Sequence, residues 1–268
     1  MNLQDLLQQV AAGTLDPTDA ADQLIAAQSL PDALVDHARA ARCGAPEVIF
    51  AQGKTASQVT TIAEALLAKN DTVLATRCTP EQLAALSDAF PDTPLHTTLD
   101  PDPPTTEPDP SLPTSVLLGK LPTPNPDLPP IPIVTAGTSD TPVALEAQLT
   151  AAYLHQPTVR ITDIGVAGIH RITPHLDTLR KARVVIVIAG MEGALPSVLA
   201  GLLPNTLIGV PTSVGYGTAF HGVTPLLAML NACASGVLAV NIDAGFSAAF
   251  AAARINTPHP PLTSQPTS

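Results

Sequence analysis

The stretch VVIVIAGMEGALP, residues 184–196, joins an apolar run of strand length at 184–189 to a glycine-bearing turn and the start of a helix. A continuous β-branched run without polar alternation is typical of a parallel strand that is covered on both faces. Four further runs of this kind lie at residues 131–135, 158–162, 207–210 and 237–242. Helical patterns follow the five runs at residues 142–153, 174–181, 194–203, 223–234 and 247–254. This alternation predicts an α/β domain over residues 131–256, a three-layer α/β/α sandwich with a parallel sheet.

The first part of the chain predicts a second, smaller α/β domain over residues 1–90. Its predicted helices lie at residues 3–12, 20–28, 32–42, 56–69 and 80–89, and its predicted strands at 47–50 and 72–76. Fourteen of the 29 prolines fall between Pro91 and Pro132, mixed with acidic residues. Residues 91–130 are therefore predicted to be a linker with one short strand at 115–118. The proline-bearing tail, residues 257–268, is predicted to be disordered.

The charge balance excludes two classes of partner. The 268 residues include 12 Lys and Arg against 23 Asp and Glu, a formal net charge of −11. Nucleic acids and anionic membranes select basic surfaces, so neither is an expected partner. No apolar run reaches the roughly 18 residues of a membrane-spanning helix, and the start of the chain lacks the layout of a signal peptide. The three cysteines have no paired spacing for disulfides or zinc, so a cytoplasmic protein is expected.

Loops that follow the predicted strands hold the candidate site residues, because ligands of parallel sheets bind beyond the carboxyl ends of the strands. After the first strand, Gly137, Thr138, Ser139 and Asp140 stand at the start of a helix. Small residues and hydroxyls at a helix N-terminus are suited to bind a phosphate, although an ordinary N-cap explains them equally well.

The loops after the second and third strands carry titratable groups. His170 is able to move a proton near neutral pH, and the adjacent Arg171 is able to hold a phosphate or a carboxylate. Gly190, Met191 and Glu192 follow the third strand, where the carboxylate of Glu192 serves catalysis or simply favours the positive end of the next helix.

The last loops add weaker candidates. Ser213 and Tyr216 follow the fourth strand, either facing a ligand or packing in a plain loop, and Asp243 follows the fifth. Asn231 and Cys233 lie near the end of a helix. An isolated cysteine is usually a small buried hydrophobe, and a helix C-terminus raises a thiol pKa, so a nucleophilic Cys233 needs a nearby cation.

In the smaller domain, Arg39, Arg42 and Lys54 concentrate positive charge within a strongly acidic chain. Arg39 and Arg42 are i,i+3 neighbours on a predicted helix face. A solvated helix face is the alternative, but the acidic neighbours Asp36 and Glu47 favour a positioned anion site.

Read together, these segments resemble the LarB family, the pyridinium-3,5-biscarboxylic acid mononucleotide synthases of nickel-pincer cofactor assembly. The matching stretches are DHARAARCGAPEVIFAQGKT (36–55), VTAGTSDTPVALEA (134–147), DIGVAGIHR (163–171), VIAGMEGALPSV (187–198), GVPTSVGYG (209–217), MLNACASG (229–236) and NIDAGF (241–246). The second half is also similar to aminoimidazole ribonucleotide carboxylase/mutase, through AGTSD and Ile-His-Arg. Two departures from the LarB pattern are Ala244, where Asn is expected, and Ala51, where Gly is usual.

The resemblance implies carboxylation of nicotinic acid adenine dinucleotide at carbon 5 of its pyridine ring, with CO2 or bicarbonate as co-substrate, and cleavage of the phosphoanhydride to release AMP. The family's nucleophilic cysteine maps onto Cys233, whose thiolate adds to carbon 4 of the ring. Asp140, His170 and Glu192 are the further catalytic candidates. The residues assigned to substrate binding are Gly137, Thr138, Ser139, Arg171, Gly190, Met191, Ser213, Tyr216, Asn231, Asp243, Arg39, Arg42 and Lys54.

The resemblance also implies a homo-oligomer, an octamer as in related folds. No tightly bound cofactor is expected, and at most Mg²⁺ enters with the substrate phosphates, because no His or Cys spacing indicates a tight metal site. Two alternative functions stay open. An aminoimidazole ribonucleotide carboxylase/mutase explains AGTSD and His170 but gives Cys233 no role. A regulatory module that binds nucleotide without turnover is the non-enzymatic alternative.

Overall fold

The computed structural model describes residues 3–24, 27–98 and 114–258. The chain divides into two compact units, Met1–Pro122 and Thr123–Ser268. No helix within the described ranges is long and apolar enough to cross a membrane.

The first unit combines a hairpin with a mixed sheet. Its strands are β1 (Ala27–Leu30), β2 (Ala33–Asp36), β3 (Ile49–Phe50), β4 (Thr72–Cys78), β5 (Leu95–Thr97) and β6 (Thr114–Gly119). Its helices are α1 (Leu3–Ala11), α2 (Pro17–Leu24), α3 (Arg39–Cys43), α4 (Ala56–Leu67) and α5 (Pro80–Ala89). The mixed sheet has the order β3-β4-β6-β5, with β3 and β4 parallel and the other pairs antiparallel. Capping boxes begin both α4 and α5, where Thr55 and Thr79 accept from the third helical N–H.

Two predicted helices of this unit are only partly present. Of the predicted helix 20–28, α2 covers residues 20–24, and of the predicted helix 32–42, α3 covers residues 39–42. The described residues between them contain the antiparallel pair β1 and β2. Pro31 and Asp32 lie between the two strands as turn residues. A proline followed by aspartate favours a turn, and cross-strand pairing then overrides the helix propensity of the flanking residues.

Two strands of the mixed sheet lie within residues 91–130, where the sequence predicts a linker. The expected strand at 115–118 is present as β6, whose six residues are all buried. The additional strand β5 is three residues long and pairs with β6, and Leu95 packs against the core of the unit. Residues 99–113 of the predicted linker and 259–268 of the predicted tail lie outside the described residues.

Cys78 ends β4 in the core of this unit, and burial raises the pKa of its thiol to about 12, from an ordinary value of 9.0. Because the thiolate is the reactive form, this shift lowers the reactive fraction of Cys78 roughly a thousandfold at neutral pH. We expect Ellman's reagent to modify the exposed Cys43 of the native protein long before Cys78. Mass spectrometry of the labelled peptides checks this order, which would be contradicted by equal labelling of the two sites before denaturation.

The second unit is a parallel sheet between two layers of helices, as predicted. Its strands are β7 (Ile131–Thr135), β8 (Thr158–Ile161), β9 (Val184–Ala189), β10 (Thr206–Pro211) and β11 (Val237–Ala239). Its helices are α6 (Thr141–Tyr153), α7 (Leu176–Arg180), α8 (Leu195–Ala200), α9 (Val223–Leu230) and α10 (Gly245–Asn256). All neighbouring strands are parallel, in the order β11-β10-β9-β7-β8.

Alternate residues of the central strands feed two cores on opposite faces of this sheet. On one face, Ile186 and Ile188 of β9 pack with alanines of α6 and α10. On the other face, Val185 and Val187 pack with α7, α8 and α9. Gly245 lets α10 approach α6 closely, since a Cβ there would stand 2.4 Å from the carbonyl oxygen of Val143.

The strand order places a topological switch between β7 and β9. The chain passes from β7 to β8 on one side, and then crosses to β9 on the other side of β7. The loops after β7 and β9 therefore leave the sheet in opposite directions and open a crevice at the carboxyl ends of these two strands.

Candidate active site

A cavity of about 250 Å³ lies at the switch point between β7 and β9. The loops after β7, β8, β9 and β10 form its wall. The lining residues are Ala136, Gly137, Ser139, Asp140, Gly165, Val166, Ala167, Arg171, Ala189, Gly190, Met191, Glu192, Ala194, Leu195 and Val214. Seven residues that the sequence assigns to the site thus meet at one cavity: Gly137, Ser139, Asp140, Arg171, Gly190, Met191 and Glu192.

Asp140 is the buried carboxyl group of this cavity, with 3% of its surface exposed. Its Oδ1 accepts from the Thr212 hydroxyl at 2.7 Å, and its Oδ2 accepts from the Gly137 N–H at 2.9 Å. Burial raises the pKa of Asp140 above its ordinary value, and the negative charge of Asp243 acts in the same direction. The hydrogen bonds from Thr212 and Gly137 favour the charged form but do not cancel the effect of burial. The site thus holds a carboxyl group whose pKa is raised toward neutral pH, as suits an acid–base catalyst.

Gly190 lets the loop after β9 pass directly beside Thr212, whose hydroxyl donates to Asp140. A Cβ at this position would stand 2.4 Å from the Val214 carbonyl oxygen and 2.6 Å from the Thr212 hydroxyl oxygen. Gly165 is similarly close to the chain, with a Cβ 2.7 Å from the carbonyl oxygen of Ala136. Side chains at either position would push the loops apart, so these two glycines set the width of the crevice.

We expect Gly190→Ala to lower the free energy of unfolding by about 1–3 kcal/mol, because the added methyl group overpacks a closed region. It should also lower activity, since the methyl group displaces the hydroxyl that holds Asp140. Gly201→Ala is the matched control, because a Cβ at Gly201 meets no atom closer than 3.5 Å. Urea unfolding of both variants measures the effect, and an equal loss of stability in the two would contradict the assignment.

In the loops after β8, β9 and β11, three residues with side chains adopt left-handed backbone conformations. Asp163 after β8 has φ of 59°, Met191 after β9 has 52°, and Asp243 after β11 has 55°. This conformation is unfavourable for residues other than glycine and clusters at functional sites. Met191 donates its N–H to the Val214 carbonyl at 3.0 Å, and the Asp243 carboxylate accepts from the Ser213 N–H at 2.8 Å. These bonds tie neighbouring loops of the crevice together.

The remaining predicted groups of the crevice differ in exposure. Arg171 forms an ion pair with Asp163 at 2.9 Å and reaches the cavity wall. Thr138, His170 and Tyr216 are exposed on the same loops, and 81% of the surface of Tyr216 is accessible. An exposed aromatic ring beside a cavity is available for contact with a ligand or another chain.

Asn231 and Cys233 do not join this cavity within one chain. Both are exposed in the segment between α9 and β11. This segment leads into β11, so it lies at the amino ends of the parallel strands. The carbonyl of Gly236 in this segment accepts from Leu207, at the start of β10. The cavity lies at the opposite, carboxyl ends of the strands.

Two of the three basic residues of the first unit that are assigned to the site, Arg42 and Lys54, donate hydrogen bonds to groups of the same unit. The Arg42 guanidinium donates to both carboxylate oxygens of Asp36 and thereby lowers the pKa of Asp36. The Lys54 ammonium donates to the Phe50 carbonyl at 2.6 Å. Arg39 is partly buried on α3. The expected anion site formed by these residues stays a prediction.

Sequence reasoning missed two residues that shape the crevice. Thr212 is fully buried and holds Asp140, although 72 positions separate the two in the sequence. Asp163 pairs with Arg171. Thr212 is the first residue after β10 and Asp163 the second after β8, so a polar residue just beyond the end of a strand was the available signal.

Within residues 3–24, 27–98 and 114–258, no group of three or more His, Cys, Asp or Glu is placed to hold a metal ion. Entry of Mg²⁺ with the substrate phosphates stays a prediction.

Comparison with known proteins assigns both parts of the chain. Residues 27–99 match the family described as the LarB/PurE-like N-terminal domain, and residues 130–265 match the family described as AIR carboxylase. An uncharacterized protein of Methanocaldococcus jannaschii is 36% identical over 255 residues, which cover 92% of this chain and 94% of that protein.

Proposed function

The chain belongs to the LarB family, with an AIR carboxylase domain as its second half, and we propose that it carboxylates carbon 5 of the pyridine ring of nicotinic acid adenine dinucleotide and releases AMP. Its two domains make it a carboxylase/mutase-type enzyme. The observation that carries the finer proposal is the LarB-type domain over residues 27–99, joined to the AIR carboxylase domain.

In the proposed reaction the Cys233 thiolate adds to carbon 4 of the pyridinium ring, and the electron pair of the ring's C=N bond moves onto nitrogen. The resulting enamine attacks CO2 through carbon 5 and forms the new C–C bond. Loss of the proton on carbon 5 and expulsion of the thiolate restore the aromatic ring. Water then attacks the phosphoanhydride, giving AMP and the dicarboxylated mononucleotide.

Asp140 is the proposed base for the proton on carbon 5, since it is buried at the cavity and its pKa is raised. Cys233 lies outside this cavity in its own chain, so the proposal requires Cys233 of a neighbouring copy in the expected homo-oligomer. Arg171 and the hydroxyls of Thr138 and Ser139 are suited to the substrate's phosphates and carboxylates, because Arg171 and Ser139 line the cavity and Thr138 and Ser139 immediately precede α6. His170 and Glu192 are the further candidates for proton transfer.

A direct test is incubation with the dinucleotide and ¹³C-bicarbonate, followed by mass spectrometry of the products. The proposal requires the label in a carboxylated mononucleotide, together with AMP. Recovery of unchanged dinucleotide would overturn it.

The AIR carboxylase match over residues 130–265 favours one second function, that of an aminoimidazole ribonucleotide carboxylase or mutase. It leaves the domain at residues 27–99 unexplained. The same assay run with aminoimidazole ribonucleotide separates the two functions. Tight binding of the dinucleotide without product would indicate a regulatory module instead.

A further inference from the structure

Two carboxyl groups of the crevice are held by consecutive residues of one loop. Thr212 donates its hydroxyl to Asp140 at 2.7 Å, and the next residue, Ser213, donates its N–H to the Asp243 carboxylate at 2.8 Å. Asp243 also donates its own N–H to the Pro211 carbonyl at 2.8 Å. The loop after β10 therefore holds Asp140 and Asp243 close enough for the charge of Asp243 to act on Asp140.

Asp243 has two physical reasons to leave this position. Its backbone is left-handed, with φ of 55°, which is unfavourable for a residue with a side chain. When Asp140 and Asp243 are both charged, their carboxylates also repel each other. Both effects favour movement of Asp243 away from Asp140, so the segment that carries Asp243 needs an anchor.

This anchor lies at the start of α10, three residues after Asp243. The first N–H groups of a helix have no acceptor within the helix. In α10 the N-cap residue is Ala244, whose methyl group accepts no hydrogen bond. The Phe246 N–H donates instead to Oε1 of Glu146 at 2.8 Å, although 100 positions separate the two residues in the sequence. Only 9% of the surface of Glu146 is exposed.

Glu146 belongs to the helix that begins directly after Asp140. It lies six residues beyond Asp140, ~9 Å along the axis of α6. The start of α10 lies against this part of α6, since a Cβ at Gly245 would stand 3.1 Å from the Cβ of Glu146. Hydrogen bonds and short chain segments thus form a closed ring that leaves α6 and returns to it. This Glu146 ring consists of Asp140, Thr212, Ser213, Asp243, Phe246 and Glu146.

We propose that Glu146 is a positioning residue of this enzyme, whose bond to Phe246 closes the Glu146 ring and thereby keeps the Asp243 carboxylate beside Asp140. Glu146 acts through the backbone of α10 and contacts no reacting atom in the proposed reaction. Its role in catalysis rests on the proposed function, in which Asp140 is the base.

The charges around Asp140 give the position of Asp243 a measurable effect. The negative charge of Asp243 raises the pKa of Asp140. Among the described residues that line the cavity, the other charged side chains are Glu192 and Arg171, and Arg171 is paired with Asp163. Movement of Asp243 away from the crevice should therefore let Asp140 accept a proton only at lower pH.

Glu146→Leu tests the ring, because it removes the acceptor and keeps a side chain of similar volume. The acidic limb of kcat/KM for carboxylation should move to lower pH. The value of kcat should fall by up to about a hundredfold, as is typical when a catalytic group is displaced by about 1 Å. Glu146→Gln keeps an oxygen acceptor and should restore the wild-type pH profile. An acidic limb that stays in place in Glu146→Leu would overturn the proposal.

Asp243→Asn shows whether Glu146 acts through the charge of Asp243. This variant should itself move the acidic limb to lower pH. Glu146→Leu should then cause no further movement, because two changes that act through one interaction are not additive. Equal movements of the limb with and without the Asp243 charge would contradict the proposed connection.

Phe246 provides a second pair of variants if Glu146→Leu fails to fold. Proline is tolerated in the first turn of a helix, so Phe246→Pro removes the N–H that Glu146 accepts and leaves Glu146 in place. It should move the acidic limb as Glu146→Leu does. Phe246→Ala loses the same ring but keeps the N–H, and it should keep the wild-type limb. Equal limbs in the two variants would reject the bond as the cause.

Infrared titration of the substrate-free protein follows Asp140 without any assay of activity. The C=O stretch of the protonated Asp140 carboxyl group is identified by its loss in Asp140→Asn. In Glu146→Leu this band should appear at lower pH than in the wild type. A shifted band in an enzyme that never carboxylates the dinucleotide rejects the proposed function and leaves the ring in place. An unmoved band in an enzyme that does carboxylate it rejects the role of Glu146 alone.

Discussion

Replacing Cys233 by serine should lower the rate of carboxylation at least about a thousandfold, because the covalent intermediate is lost when a hydroxyl stands in place of the thiolate. Binding of the dinucleotide should change little, since the proposed adduct forms after the substrate is bound. Labelled carboxylation of the ring measures the first effect, and calorimetric titration with the dinucleotide measures the second.

Cys43→Ser is the matched control for this variant, because Cys43 is the other exposed cysteine among the described residues. It should keep wild-type activity. A Cys233→Ser enzyme that still carboxylates at the wild-type rate would reject Cys233 as the nucleophile, whatever the state of assembly.

Asp140→Asn should reduce carboxylation about a hundredfold to ten-thousandfold, the usual contribution of a positioned general base. In the wild type, kcat/KM should fall as the pH drops through the raised pKa of Asp140, because only the carboxylate accepts the proton. The variant should lack this acidic limb.

Thr212→Val gives a graded comparison, since the hydroxyl of Thr212 lowers the pKa of Asp140. Without that hydroxyl the acidic limb should move to higher pH, and an unmoved limb would reject Asp140 as the titrating base.

The stability of the Asp140→Asn variant provides a second measurement. The folded protein holds the Asp140 proton more tightly than the unfolded chain does, because the pKa is raised above 3.8 in the folded state. The free energy of unfolding of the wild type should therefore fall, relative to Asp140→Asn, as the pH rises from 3.8 through the folded pKa. Urea unfolding of both proteins across this range checks the sign. A difference that is independent of pH would contradict burial as the cause of the shift.

Local patterns in the sequence were sufficient for most of the fold. The strand β9 and the helix α5 have the same bounds in the structure as in the prediction. In β9 an unbroken β-branched run predicts the strand, and in α5 the capping residue Thr79 and Pro80 mark the start of the helix. The hairpin of β1 and β2 could not be predicted in this way, because its residues favour helix and only their pairing with each other makes them strands.

The site residues show the same difference between features set by local patterns and features set by tertiary packing. The alternation of strands and helices was enough to bring the loops after β7 and β9 to one crevice. The bond from Thr212 to Asp140 depends on how two distant loops pack, which residue spacing does not contain. Cys233 is a different case. It stands between a helix and the following strand, so the alternation itself places it at the amino ends of the sheet, away from the crevice of its own chain.

The left-handed residues Asp163, Met191 and Asp243 have a consequence for the evolution of heat resistance in this enzyme. Each conformation is unfavourable by about 1–2 kcal/mol relative to glycine. Selection for a higher melting temperature alone would therefore favour glycine at these three positions. Glycine would remove the carboxylate that pairs with Arg171 and the one that accepts from Ser213. Thermostable variants obtained in this way would lose the order of the crevice loops, so stability and catalysis compete at Asp163 and Asp243.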